Sequence, residues 1–169
     1  MNIILIGYRG TGKSVVGKII AKQLNMAYAG MDANIVKRAG MPIPDIVQQF
    51  GWPKFRDIET QEALATRELD NVVVDTGGGI IEREENMPAL KKNGIVFWLT
   101  ASVDTIVNRI QDDTQRPALV EGKTFTQEVA QVLEQRNSKY RSAADFVIDT
   151  DKISPDQVAA RIIEIIRTE

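Results

Sequence analysis

Four apolar residues, Ile3-Ile4-Leu5-Ile6, run into Gly7-Tyr8-Arg9-Gly10-Thr11-Gly12-Lys13-Ser14 and then straight into an amphipathic stretch. A short β-branched run, a glycine-rich turn and a helical period, in that order, commit the chain to strand, tight loop and helix. Gly7, Gly10 and Gly12 let the backbone turn successive N–H groups inward, so the loop becomes an anion cradle at a helix N-terminus. This is the G-x-x-x-x-G-K-S pattern of a phosphate-binding loop. Gly10, Thr11, Gly12, Lys13 and Ser14 are its candidate nucleotide contacts, with Lys13 reaching the terminal phosphates and the Ser14 hydroxyl available to Mg²⁺.

The same alternation continues along the chain. Apolar runs at Ile3 to Ile6, Ala27 to Met31, Val72 to Val74, Ile95 to Leu99 and Phe146 to Ile148 predict five buried strands. Between them the segments 14–24, 33–50, 53–69, 83–92, 102–111, 124–141 and 155–168 carry apolar residues at helical spacing. Strands separated by helices imply a five-stranded parallel sheet with helices on both faces, and right-handed crossovers leave few topologies. Ligands should collect at the carboxyl ends of the strands. The 169 residues fit one domain, with a substrate-binding region at about 32–60 and a mobile lid at about 111–123.

Composition narrows the chemistry. With 21 Lys plus Arg against 23 Asp plus Glu, the net charge of −2 offers no general attraction for nucleic acid or an acidic membrane surface. No cysteine and no histidine occur, which excludes disulfides, thiolate metal sites and a Ser-His or Cys-His nucleophile. Acid–base work must then fall to carboxylates, lysine or tyrosine, which suits phosphoryl transfer. The N-terminal apolar run is too short for a signal peptide or a span, so a cytoplasmic protein is expected, and without a heptad seam a monomer.

Several further groups stand where chemistry would need them. Val72-Val73-Val74-Asp75 is an apolar strand closed by a carboxylate, which makes Asp75 a metal-side candidate beside Ser14. Gly77-Gly78-Gly79 strips all side chains from the backbone just after that strand, as a close approach would require. Arg56 and Glu59 share a helix face at i, i+3, so that Glu59 can orient a guanidinium able to fork onto a carboxylate. Arg116, next to Pro117 in the lid, and Arg136 in the following helix add fixed positive charges. Asp32, at the end of the second strand, is the carboxylate best placed to act as a base on an acceptor hydroxyl.

In order and spacing these pieces resemble shikimate kinase over essentially the whole chain. The shared pattern is G-x-x-x-x-G-K-S, an aspartate before Ile35-x-x-Arg38-x-Gly40, Ile43-x-Asp45-Ile46, Phe55-Arg56-x-x-Glu59, Gly77-Gly78-Gly79, Arg116-Pro117 and Arg136-x-x-x-Tyr140. The resemblance implies a P-loop kinase three-layer sandwich that moves the γ-phosphoryl of ATP to the 3-hydroxyl of shikimate. Asp32 would hold that hydroxyl, with Arg56, Arg136 and the backbone at Gly78 and Gly79 gripping the carboxylate and ring. Lys13 and Arg116 would stabilise the moving phosphoryl, and Arg109 would stack on adenine. Mg²⁺ is the implied cofactor, with ATP or ADP and shikimate as the only partners.

Two positions depart from the family pattern. Relatives show Asp-x-Asp where this chain has Gly30-Met31-Asp32, so the first aspartate is missing, and Asp75 stands where they often carry Ser or Thr. Asp75 is therefore expected to supply from the neighbouring strand the charge that Gly30 lacks. Ile153, in the adenine loop, replaces a residue often basic in relatives. The alternatives are a P-loop kinase of another small hydroxylated acid such as gluconate, a nucleoside monophosphate kinase, or a catalytically weakened nucleotide-binding module.

Overall fold

The computed structural model describes residues 1–111 and 119–169. The chain folds as β1 Asn2–Ile6, α1 Lys13–Leu24, β2 Ala27–Gly30, α2 Met31–Ala39 and α3 Ile43–Thr66. Then come β3 Val72–Asp75, a 3₁₀ turn at Ile80–Glu82, α4 Asn86–Lys91, β4 Gly94–Thr100, α5 Val103–Ile110, α6 Phe125–Ala143, β5 Phe146–Asp149 and α7 Pro155–Thr168. All strand pairings are parallel, in the order β2-β3-β1-β4-β5.

The period of two along β1 sorts its side chains into two cores. Ile3 and Leu5 join Val73, Phe97 and Leu99 against Val16 and Ile20 of α1 and Val158 and Ile162 of α7. Ile4 and Ile6 face the other way, with Val74, Val96 and Trp98, onto Met87 and Leu90 of α4 and Tyr140 of α6. Two faces covered by helices make the three layers expected from the alternation. Smaller clusters support the site itself: Tyr8 with Ile106 and Val129 behind the phosphate loop, and Ile35, Ile43, Ile46 and Phe55 joining α2 to α3.

Three expectations need correction. β1, β3 and the middle of β4 are buried, but β2 and β5 are half-exposed because they are the sheet's edges, with a neighbour on one side only. The expected helix over 33–50 is interrupted: Gly40 caps α2 in the left-handed region at φ 69, and a new helix starts after Pro42. That second helix then passes through Gly51, at φ 80 and ψ 167, and continues as a kinked α3. The helix expected over 83–92 is shorter, Asn86–Lys91, and a 3₁₀ turn at Ile80–Glu82 precedes it.

Candidate active site

The carboxyl ends of β1, β2 and β3 bring the sequence candidates together. Between β1 and α1 the loop holds Gly10 and Gly12 at φ 81 and 92, conformations that L side chains rarely adopt. Gly12 is the N-cap of α1, and the first helical turn carries no acidic residue, which leaves its N–H groups and the helix dipole for an anion. Thr11 Oγ1 donates to the Tyr8 carbonyl at 2.8 Å and pins the turn. Lys13, 7% exposed, donates through Nζ to the carbonyls of Gly7 (2.9 Å) and Tyr8 (3.1 Å), so its ammonium is fixed along the inner edge of the loop. A cleft of about 520 Å³ lies over this loop, lined among others by Lys13, Ser14, Gly30, Asp32, Asp75 and Gly78.

The departure at Gly30 has a structural counterpart. Gly30 is the register partner of Asp75 across the β2–β3 pair, so the missing and the added carboxylate belong to neighbouring positions on one sheet edge. Asp75 Oδ2 accepts from the Ser14 hydroxyl and, at 2.9 Å, from the Tyr28 hydroxyl. Burial first, and then the Asp75 charge, push the Tyr28 phenol well above its usual range, so it stays a donor to the carboxylate. A carboxylate and a hydroxyl converging at the mouth of a phosphate cradle fit a hard cation that keeps water and shares phosphate oxygens. Ser14 and Asp75 are the residues that could hold Mg²⁺. Tyr28, which no local pattern singles out, braces the second of them.

Beside this cleft, and sharing Arg9 and Gly78 with it as walls, is a narrower cavity lined by Tyr8, Trp52, Arg56, Gly79, Leu119 and Arg136. Arg56 and Arg136 therefore face one space. Arg56 lies against Trp52 and Phe55, its guanidinium carbon 5.2 and 5.3 Å from their ring centres, and its Nη1 donates to Glu59 Oε2 at 2.7 Å. Glu59 is only 1% exposed; burial pushes its carboxyl up, opposed by the Arg56 charge. The i, i+3 pair is thus a buried clamp rather than a solvated surface pair.

The triple glycine has a steric cause. A Cβ on Gly79 would overlap the Arg56 guanidinium, and one on Gly77 would lie 2.7 Å from Glu59 Oε1 and 3.0 Å from Asp32 Oδ1. Only bare backbone lets both clamps and Asp32 approach this turn. Tyr140 fixes it from the other side by donating to the Gly78 carbonyl, while its ring stacks on Trp98 with centroids 5.6 Å apart. Asp32 sits in the first turn of α2, whose N-cap is Gly30, so it is not the N-cap residue that such a position commonly supplies.

A third pocket, behind α1, is lined by Thr11, Gly12, Val15, Arg109, Thr150, Ile153 and Pro155. Arg109 donates to the Gly10 carbonyl (3.0 Å), Thr150 Oγ1 (3.1 Å) and the Thr150 carbonyl (3.0 Å), which lays its flat guanidinium along the end of the phosphate loop. Arg109 and Ile153 are hence brought to one place beside the cradle. Arg116 and Pro117 lie outside the described residues.

The residues 9–167 match the family described as shikimate kinase. The chain belongs to the shikimate kinase family. Among curated members, the shikimate kinase of Thermodesulfovibrio yellowstonii is 40% identical over 163 residues, covering 96% of this chain and 93% of that one. That of Sulfurihydrogenibium sp. is 39% identical over 98% of each chain. Among solved members, the Acinetobacter baumannii shikimate kinase in complex with shikimate superposes with a TM-score of 0.94 at 31% identity, over 99% of this chain and 93% of that chain. Membership in this family makes the chain a phosphotransferase with the P-loop kinase fold. The alternatives, a P-loop kinase of another small hydroxylated acid or a weakened nucleotide-binding module, are not what the likeness favours.

Proposed function

We propose that the chain transfers the γ-phosphoryl group of ATP to the 3-hydroxyl of shikimate, giving ADP and shikimate 3-phosphate on the route to chorismate and the aromatic amino acids. The observation that carries this reading is the pair of guanidinium groups, half-buried Arg56 and buried Arg136, facing one cavity that shares its walls at Arg9 and Gly78 with the phosphate-loop cleft. A carboxylate seated on planar guanidinium forks is held in orientation as well as in place. The ring it carries is then directed at Asp32, which lines the cleft side of the same wall.

In this reading Asp32 holds the acceptor hydroxyl and takes its proton as the new O–P bond forms, while the bond to the ADP oxygen breaks. Amides of the loop and the Lys13 ammonium face the oxygens on which charge develops, and Arg116 adds a second cation from the lid. Arg109 and Ile153 bind the adenine end. Mg²⁺, when bound at Ser14 and Asp75, would offset phosphate charge. Positioning and electrostatics are most of what phosphoryl transfer asks of a protein, and no histidine or thiol is required. The protein acts as a cytoplasmic monomer on two soluble metabolites, without nucleic acid or membrane.

The test is coupled measurement of ADP release with shikimate, gluconate and AMP in turn. Turnover with shikimate alone is expected. Tight ATP binding unstimulated by any of the three would replace the kinase with a nucleotide-binding module.

A further inference from the structure

Three arginines line the cavity, and each faces its own carboxylate: Arg9 with Glu128, Arg56 with Glu59, and Arg136 with Glu82. A cavity whose cations are each neutralised one for one has little field left for an anion. Glu82 differs from the other two. Its Oε1 accepts from Arg136 Nε at 2.7 Å, and its Oε2 accepts from Lys139 Nζ at 2.8 Å. Among the described residues it is the one of these three carboxylates that accepts from two cations, so Lys139 offsets part of its charge and leaves a surplus positive charge at the Arg136 end.

The geometry matters as much as the charge. A guanidinium offers two forked edges, one through Nε and one through the paired Nη atoms. By occupying Nε, Glu82 takes the lateral edge and leaves the terminal fork to the Tyr140 hydroxyl and the pocket, where Nη1 lies 3.7 Å from the place a Cβ on Gly78 would take. Arg136 is 6% exposed, so its orientation cannot be left to solvent. Burial would raise the Glu82 carboxyl, but Lys139 and Arg136 together outweigh it and hold the group below the usual carboxylate range, so it is ionised throughout the working pH range. Glu82 also closes the 3₁₀ turn that follows Gly77-Gly78-Gly79, so the clamp and the pocket wall move as one segment.

We propose that Glu82 is a positioning residue for the substrate carboxylate, aiming the terminal fork of Arg136, and that Lys139, a charge outside the cavity, keeps that fork net positive by sharing Glu82. The inference rests on the reading of the cavity as a shikimate site. It adds two residues, on a surface turn and an exposed helix position, to the groups that set anion affinity.

Initial rates of the full chain with shikimate and with its uncharged carboxamide provide the test. Glu82→Ala is expected to raise the shikimate KM about ten-fold with kcat and the ATP KM within about two-fold, and Glu82→Gln, which restores an acceptor for Nε, to recover most of the loss. Lys139→Met should raise the shikimate KM several-fold, and this effect should vanish with the carboxamide. In an Arg136→Lys background, which has no lateral edge to hold, Glu82→Ala should add nothing. An unchanged or lowered shikimate KM in Glu82→Ala overturns the positioning role, and a Lys139→Met effect of equal size on both substrates overturns the charge role. A wild-type protein inert toward shikimate would instead defeat the underlying reading, and this proposal with it.

Discussion

Asp75 is buried at the end of β3, opposite a glycine, and holds both a phosphate-loop hydroxyl and a tyrosine. If it is the metal-side carboxylate, Asp75→Asn should shift the Mg²⁺ requirement for turnover upward by about ten-fold or more while leaving shikimate KM near wild type. Titration of Mn²⁺ by electron paramagnetic resonance in the presence of ADP checks the binding directly. An unmoved curve removes Asp75 from the site. Lys13→Ala should lower kcat by about two to three orders of magnitude, because the lost interaction strengthens as charge develops on the phosphoryl oxygens. Single-turnover kinetics distinguish this from weaker ATP binding. Glu59 gives a pH prediction. Its carboxyl is raised above the ordinary 4.5, so the proton leaves later in the folded chain than in the unfolded one, and ionisation costs stability as pH climbs through the folded value. The Arg56–Glu59 ion pair exists only above that value. Shikimate KM should therefore worsen on acidification at a pH higher than 4.5, and Glu59→Gln should lose that limb of the profile. The pair was visible in the sequence as i, i+3 spacing; its burial was not, since spacing is the same on a solvated face. Tyr28 carried no signal because nothing local ties it to Asp75, 47 residues away.

At the scale of elements, the site depends on a turn and a kink. The turn at Gly77–Gly79 is closed to a Cβ at its two ends, by Glu59 at Gly77 and by Arg56 at Gly79. Gly79→Ala should displace Arg56 from between its aromatic neighbours and raise shikimate KM by about ten-fold or more, with ATP KM little affected. A mutant equal to wild type in both would show that Arg56 can yield without loss. The cavity beside this turn has about 30 Å³ of free space, room for a single water, so a carboxylated ring needs its walls to part. One wall is Trp52, which follows the kink at Gly51 in α3. Shikimate should accordingly change Trp52 fluorescence; Trp52→Phe should abolish the response, whereas Trp98→Phe, a substitution in the core beneath β4, should retain it. The gap between the expected helices 33–50 and 53–69 falls at this glycine, at φ 80, but periodicity could not tell that the two segments run on as one kinked α3.

For the whole molecule, the sheet order β2-β3-β1-β4-β5 places the phosphate loop on the central strand, with α2 following the β2 edge and Arg109 and Thr150 following β4 and β5. A ligand spanning these parts stabilises the entire fold by mass action. ADP at a hundred times its Kd should add about 2.7 kcal/mol of stability, read as a rise in thermal midpoint, and the rise should shrink in Lys13→Ala. Large exposed apolar side chains such as Val15, Val36, Phe50 and Val147 lie on four different elements, α1, α2, α3 and β5. Light scattering on an eluting peak should then give the monomer mass of 18.8 kDa. A doubled mass would point to a self-association surface instead.

The sequence by itself determined the strand–loop–helix at the phosphate loop, the five-strand alternation and the choice of candidate site residues, because those depend on periodicity, glycine placement and residue chemistry over short spans. Only the tertiary structure decided that Arg56 and Arg136, eighty residues apart, face one cavity. It likewise decided that Asp75 lies across from Gly30, and that Glu82 is shared by Arg136 and Lys139. Such meetings are set by how helices pack over a twisted sheet, and a linear pattern carries no record of which distant side chains that packing brings within hydrogen-bonding distance.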